Sequence, residues 1–161
     1  MQNAPVPEDE KERMEAVHRI AILDSDPEER FDVLTRQAVE KLNVAISMVS
    51  IIDHDREWFK SCTGLNQKEG ERVVSFCAHA LLAKVLFVVE NTLEDERFHD
   101  NPMVVGFPFI RFYAGMALFD YKTRQPIGVF CVKDTKPRKL RMEETAIIVD
   151  LADQAEKEIN K

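Results

Sequence analysis

The pattern of apolar and polar residues divides most of the chain into helices and strands. Apolar residues at helical spacing, together with capping residues, predict four helices over residues 10–23, 27–42, 76–83 and 142–160. Runs rich in β-branched and aromatic residues predict five strands over residues 45–53, 57–62, 86–89, 113–119 and 127–133.

Two pairs of predicted strands are close enough in sequence to form hairpins. A turn at His54–Asp55 joins residues 45–53 to residues 57–62, and residues 120–126 join the last two strands. Residues 45–53 are largely apolar on both faces, which is typical of a central strand covered on both sides. Hairpins flanked by helices at the chain ends predict an α+β fold with a mostly antiparallel sheet.

The segments between these elements carry their own signals. Residues 26–29 fit a capping box for the second helix, with Asp26 as its N-cap. Residues 63–74 are predicted to be a loop. Residues 90–110 form the longest irregular stretch, in which Asn101–Pro102 predict a short helical turn. Irregular segments of this length are usually binding loops or lids.

Composition narrows the class of protein. The chain has 161 residues, 45% of them hydrophobic, so it can bury one core. Residues 1–9 predict a flexible arm, and residues 10–161 a single domain. The formal net charge of -7 disfavours nucleic acid as a partner.

The sequence also predicts where the protein resides. No apolar run approaches the roughly 18 residues that a membrane span needs, and the polar N-terminus resembles no secretory signal. The chain has 3 cysteines, an odd count with no close pair, which indicates free thiols in a reducing compartment. We therefore expect a cytoplasmic protein without a membrane partner.

Six segments identify a family resemblance by their order and spacing. They read ILDSDPEERFD at 22–32, VSIIDHDREWFKSCTGL at 49–65, SFCAHA at 75–80, DERFHDNP at 95–102, IRFYAG at 110–115 and IGVFCVKD at 127–134. Together they resemble a GAF domain, a small-molecule sensor module of bacterial signalling proteins. The likeness is to a subgroup that often precedes histidine kinases or cyclic-dinucleotide enzymes.

The resemblance implies a GAF fold, with a six-stranded antiparallel sheet and helices on both faces. In such domains the first and last helices usually pack together on one face and often form a homodimer. The other face carries the ligand pocket, which in this chain would lie between the sheet and residues 75–112. The chain lacks the Asn-Lys-Phe-Asp-Glu signature of cyclic-nucleotide-binding members.

Aromatic residues gather in and around the long loop. Phe98 and Phe109 lie within it, and Trp58, Phe76 and Tyr113 lie on predicted elements that border it. Aromatic walls with a few polar groups are typical of a small-ligand pocket. The same rings could equally pin the loop onto the sheet, and the two interpretations are compatible.

Three further residues complete the predicted ligand-binding set. Cys77 and His79 are two residues apart, so on a helix their side chains point about 200° apart and cannot bind one metal ion. The simpler interpretation is that both residues belong to the buried core. Arg111 lies among apolar residues and needs an anion. That anion is either a ligand carboxylate or phosphate, or one of the loop carboxylates Asp95, Glu96 and Asp100. No catalytic residue, metal site or cofactor is predicted.

Three functions remain open at this point. The first is a non-enzymatic sensor that binds an unknown small molecule and signals to an output protein. The second is a thiol-dependent redox enzyme of the free methionine sulfoxide reductase kind, suggested by the free cysteines. The third is a ligand-free dimerisation scaffold, suggested by the clean apolar stripe of residues 142–160.

Overall fold

The computed structural model describes residues 1–161 and contains five α-helices and six β-strands. The helices are α1 (Glu10–Ile20), α2 (Glu29–Leu42), α3 (Phe76–Ala80), α4 (Pro102–Val105) and α5 (Met142–Ile159). The strands are β1 (Ile46–Ile52), β2 (Arg56–Thr63), β3 (Glu69–Glu71), β4 (Phe87–Val89), β5 (Phe112–Phe119) and β6 (Pro126–Asp134).

The six strands form one antiparallel sheet in the order β3-β2-β1-β6-β5-β4. All seven residues of β1 are buried, because helices or loops cover both faces of the sheet at its centre. The predicted hairpins β1–β2 and β5–β6 are both present. The predicted α+β fold and the antiparallel sheet with helices on both faces are therefore confirmed.

One face of the sheet is covered by α1, α2 and α5, which enclose a core of 22 buried residues. The predicted stripe of α5 is buried here, with Ile148, Leu151 and Ala155 at most 1% exposed. Since α5 packs against α2 and β5, this stripe lies in the chain's own core. A dimer through the terminal helices would have to use their outward faces.

The other face is covered by α3, α4 and the loops around them, which enclose a second core of 14 buried residues. Ser75 caps α3 by accepting a hydrogen bond from the amide of Ala78 at 3.0 Å, as predicted. Asn101 caps α4 in the same way through the amide of Met103, also as predicted. The helix over residues 76–83 is shorter than expected and ends at Ala80.

The start of α2 differs from the prediction. The helix begins at Glu29 with Glu28 at the N-cap, and Asp26 lies outside it. The segment that precedes the helix instead contacts the ammonium group of Lys60, which is buried on this face. Lys60 Nζ donates to Ser25 Oγ at 2.8 Å, donates to the carbonyl of Asp26, and pairs with the Glu28 carboxylate at 2.7 Å.

Two further segments differ from the sequence expectation. Residues 63–74, predicted to be a loop, contain the edge strand β3, whose three residues are all exposed. These three residues include no apolar side chain, so no alternation of apolar and polar positions predicts this strand. The first helix ends at Ile20 instead of residue 23, because Ala21 adopts a left-handed conformation with φ of 58°.

Residues 1–9 contain no helix or strand but make specific contacts. The amide of Gln2 donates to the carbonyl of Arg97, and the amide of Ala4 donates to the carbonyl of Val73, both at 3.1 Å. The segment thus lies beside α3 and the long loop.

Leu151→Ala is expected to lower the free energy of unfolding by about 2–5 kcal/mol, because it empties a fully buried position between α5 and the core. Val149 lies on the same helix but is 39% exposed. Val149→Ala is therefore expected to change that free energy by about 0.5 kcal/mol or less. Urea unfolding followed by circular dichroism measures both variants. Equal losses would contradict burial of the α5 stripe in the chain's own core.

Candidate functional site

Three of the five predicted aromatic residues, Phe76, Phe98 and Tyr113, meet on the α3 face of the sheet, where they form a packed interior. Phe76 stacks on Phe98 with ring centroids 4.3 Å apart and on Tyr113 with centroids 5.3 Å apart. All three rings are 0% exposed. Phe87 meets Phe98 and Tyr113 edge-on at 6.2 and 6.0 Å. The rings fill the space beneath α3 and fix the long loop to the sheet.

Two cysteines on this face, Cys77 and Cys62, have raised pKa values. The hydroxyl of Tyr113 donates a hydrogen bond to Cys77 Sγ at 3.1 Å. Burial raises the pKa of the Cys77 thiol well above its usual value, and burial raises the pKa of Cys62 to about 11. A thiolate is the reactive form of cysteine, so these groups are poor nucleophiles at neutral pH.

His79 lies at the edge of the same aromatic cluster. Its ring meets Phe98 edge-on with centroids 4.8 Å apart, and its Nε2 lies 3.3 Å from the carbonyl of Gln2. Burial lowers the pKa of His79. The neutral imidazole therefore links α3 to the N-terminal segment.

Arg111 and Phe109 lie at the end of the long loop. Arg111 forms no ion pair, so the expected pairing with Asp95, Glu96 or Asp100 is absent, and Arg97 binds Asp95 instead. The guanidinium of Arg111 donates to the carbonyl of Val104 at 2.9 Å and so closes the end of α4. Phe109 is 49% exposed, and its backbone adopts a left-handed conformation with a φ of 59°.

Trp58 lies on the opposite face of the sheet from the other predicted residues. Successive residues of a strand point to opposite faces. Trp58 therefore joins the core beneath α1, α2 and α5, while its neighbours Glu57 and Phe59 point to the α3 face.

A cavity of about 60 Å³ lies next to the aromatic cluster, on the same face of the sheet. The sheet contributes Met48, Glu57, Phe59 and Lys133, and residues 65–74 and 103–110 form the roof. None of the eight residues predicted to bind a ligand is among its lining residues. Larger depressions, such as the groove of about 450 Å³ between β5 and α5, are open to solvent.

Glu57 is the first of two buried charged groups in this cavity. It is 3% exposed, and its two carboxylate oxygens accept hydrogen bonds from the hydroxyls of Ser50 and Ser75, both at 2.6 Å. Ser50 belongs to β1, and Ser75 is the N-cap of α3. The carboxylate is thus fixed between the sheet and the helix.

Lys133 is the second buried charged group, and it is 2% exposed. Burial lowers the pKa of its ammonium group, but the Glu57 carboxylate counteracts this, and the pKa of Lys133 is raised overall. Its ammonium lies 5.9 Å from the ring centroid of Phe76 and forms no hydrogen bond or ion pair with the protein. The cavity therefore contains a charged donor without a protein acceptor.

Sequence reasoning missed both groups, although the strand period contains a signal for them. Val129 and Cys131 are buried on the α3 face of β6, and Lys133 follows at the same two-residue spacing. Glu57 lies opposite the buried Ile52 in the antiparallel pair β1–β2, so the two side chains lie on the same face of the sheet. A lysine or glutamate near a strand end is usually exposed, so the sequence pattern does not predict that these two side chains are buried.

The structure contains neither a metal-binding cluster nor a membrane-spanning helix. The structure assembles no group of three or more histidine, cysteine or acidic side chains arranged for a metal ion. None of its helices combines the length and the hydropathy required to cross a lipid bilayer.

Comparison with known proteins finds a relative that is much longer than this chain. The chain is 39% identical over 138 residues to a cyclic di-GMP phosphodiesterase of Pseudomonas aeruginosa. The match covers 86% of this chain but only 23% of that protein, so the chain spans about a quarter of its relative's length.

Solved structures share the fold at low sequence identity. The GAF domain of a phosphoenolpyruvate-protein phosphotransferase from Acinetobacter has a TM-score of 0.63 at 18% identity, with 92% of each chain covered. A type II free methionine-R-sulfoxide reductase from Thermoplasma acidophilum has a TM-score of 0.65 at 12% identity, with 89% of this chain and 94% of that chain covered. A sequence model of the GAF domain matches residues 26–159, which include both sheet faces and the cavity, and the chain therefore belongs to the GAF domain family.

Proposed function

We propose that this domain is a non-enzymatic sensor that binds a small molecule in the cavity beside Glu57 and Lys133. The observation that carries the proposal is a largely enclosed cavity that contains a buried ammonium group to which the protein offers no hydrogen-bond acceptor. A buried charge without a hydrogen-bond acceptor is costly, and buried groups with perturbed pKa values cluster at functional sites.

Binding would be transmitted through the roof of the cavity. Glu71 and Val74 line the cavity, and Arg72 between them points away to α1, where it binds the Glu10 carboxylate at 2.8 Å. A ligand that displaces this part of the roof therefore also acts on α1. The ligand must bind the two arrangements with different affinity for the population to shift.

The relative from Pseudomonas aeruginosa supports a place in signalling. That protein is a cyclic di-GMP phosphodiesterase, and this chain matches less than a quarter of its length. We propose that the matching region regulates an output activity, and that the present domain does the same for a partner protein or a neighbouring domain.

The redox alternative rests on the fold shared with free methionine-R-sulfoxide reductases. The raised pKa values of Cys77 and Cys62 argue against it, because a nucleophilic cysteine needs a lowered pKa. The sensor is therefore the function we favour.

Ligand binding is expected to depend on the cavity and to be detectable in a metabolite panel, by calorimetry and by native mass spectrometry of freshly purified protein. Leu65→Trp, which fills the cavity from its roof, is expected to weaken binding by about tenfold or more, the equivalent of about 1.4 kcal/mol. Val105→Trp is the control, since Val105 is 62% exposed and lies outside the cavity. The proposal fails if no compound binds, or if both variants bind as the parent does.

The parent protein is expected to reduce no free methionine sulfoxide above the protein-free rate, with dithiothreitol as the reductant. The reason is that burial raises the pKa of the Cys77 and Cys62 thiols, which disfavours the reactive thiolate at neutral pH. Amino-acid chromatography of the reaction mixture measures the product. Turnover that disappears in Cys77→Ser or Cys131→Ser would instead establish the thiol-dependent enzyme.

A further inference from the structure

Lys60 and Lys133 are both buried lysines of the same sheet, and they differ in how their charge is satisfied. Lys60 is 3% exposed and binds a hydroxyl, a carbonyl and a carboxylate on the α2 face. Lys133 is 2% exposed on the α3 face and has none of these partners. The buried ammonium of Lys60 therefore has protein acceptors for its hydrogen bonds, whereas the buried ammonium of Lys133 has none.

Glu57 does not fill this role. Its oxygens already accept two hydroxyl hydrogen bonds at 2.6 Å, and it forms no direct ion pair with Lys133. Its charge acts on Lys133 from a distance, which raises the pKa of the ammonium without giving it an acceptor. A group that bridges the two would give Lys133 an acceptor and give Glu57 a further donor.

The size of the space limits what that group is. A group the size of a water molecule needs about 10–15 Å³ of cavity volume. The cavity volume of about 60 Å³ therefore accommodates about four to six non-hydrogen atoms with the roof in place. Nucleotides and bilins are far larger than this.

The charges limit it further. A dianion such as phosphate would meet the Glu57 carboxylate inside the cavity and Glu71 at its exposed edge. A ligand with one carboxylate and a nearby hydrogen-bond donor matches both buried groups at once. Met48, Phe59 and Ile110 supply apolar walls for a short side chain.

We propose that the cavity recognises a compact α-amino or α-hydroxy acid, with Lys133 donating to the ligand carboxylate and Glu57 accepting from the ligand ammonium or hydroxyl. This inference rests on the proposed sensor function and assigns the ligand class of the same site.

The test begins with the unmodified protein and needs no variant. Calorimetric titrations with glycine, L-alanine and L-lactate are compared with propionate, which lacks the donor, and with L-alaninamide, which lacks the carboxylate. Inorganic phosphate tests the dianion. We expect binding of at least one of the first three compounds. Propionate and alaninamide are expected to bind about tenfold more weakly or worse, since hydrogen bonds to charged groups are the strong ones, and phosphate is expected not to bind.

Lys133→Met and Lys60→Met form a matched pair, because each removes one buried ammonium from one face of the sheet. The first is expected to weaken binding of the preferred acid by about tenfold or more, and the second to leave it within about twofold. Circular dichroism establishes that each variant is folded. If Lys133→Met does not fold, the ranking of compounds on the parent protein decides the question.

The possible outcomes separate this inference from the sensor function. If other metabolites bind in the cavity but none of the three acids does, the ligand class is wrong and the sensor stands. Equal binding of L-alanine and L-alaninamide, or unchanged binding by Lys133→Met, also overturns the ligand class alone. If no compound of any kind binds, both proposals fail.

Discussion

The carboxylate of Glu57 holds the sheet and the helix that covers it together at a single point. One oxygen accepts a hydrogen bond from Ser50 in the central strand, and the other accepts one from Ser75, which also caps α3. A buried carboxylate persists only while its lone pairs and its charge are matched. The position of α3, the aromatic stack below it and the charge on Lys133 all depend on this match.

The two faces of the sheet therefore have different characters. The face beneath α1, α2 and α5 is a continuous apolar core in which even the buried Lys60 is fully satisfied. The face beneath α3 combines stacked rings with two buried charges and an enclosed space. Apolar packing stabilises the first face, whereas the second contains a cavity and a buried ammonium group without a hydrogen-bond acceptor.

The elements were largely predictable because they follow local rules. The stripes of α2 and α5, the apolar run of β1 and the caps at Ser75 and Asn101 all depend on neighbouring residues. Of the aromatic residues predicted to gather, Phe76, Phe98 and Tyr113 do so, whereas Trp58 lies on the other face and Phe109 is exposed. Whether the rings enclose a cavity or fill it depends on how closely segments far apart in sequence approach each other, and the spacing of residues along the chain does not determine that. For the same reason, the space lies beside Glu57 and Lys133 and not beside Phe76 and Tyr113.

The burial of the α5 stripe has a consequence for assembly. Ile148, Leu151 and Ala155 are buried within one chain, so this core forms without side chains from a second copy. If two of these domains associate, the fraction of dimer depends on protein concentration, and this core is the same in the monomer and in the dimer. Self-association could thus respond to concentration or to a partner while each domain keeps its tertiary structure.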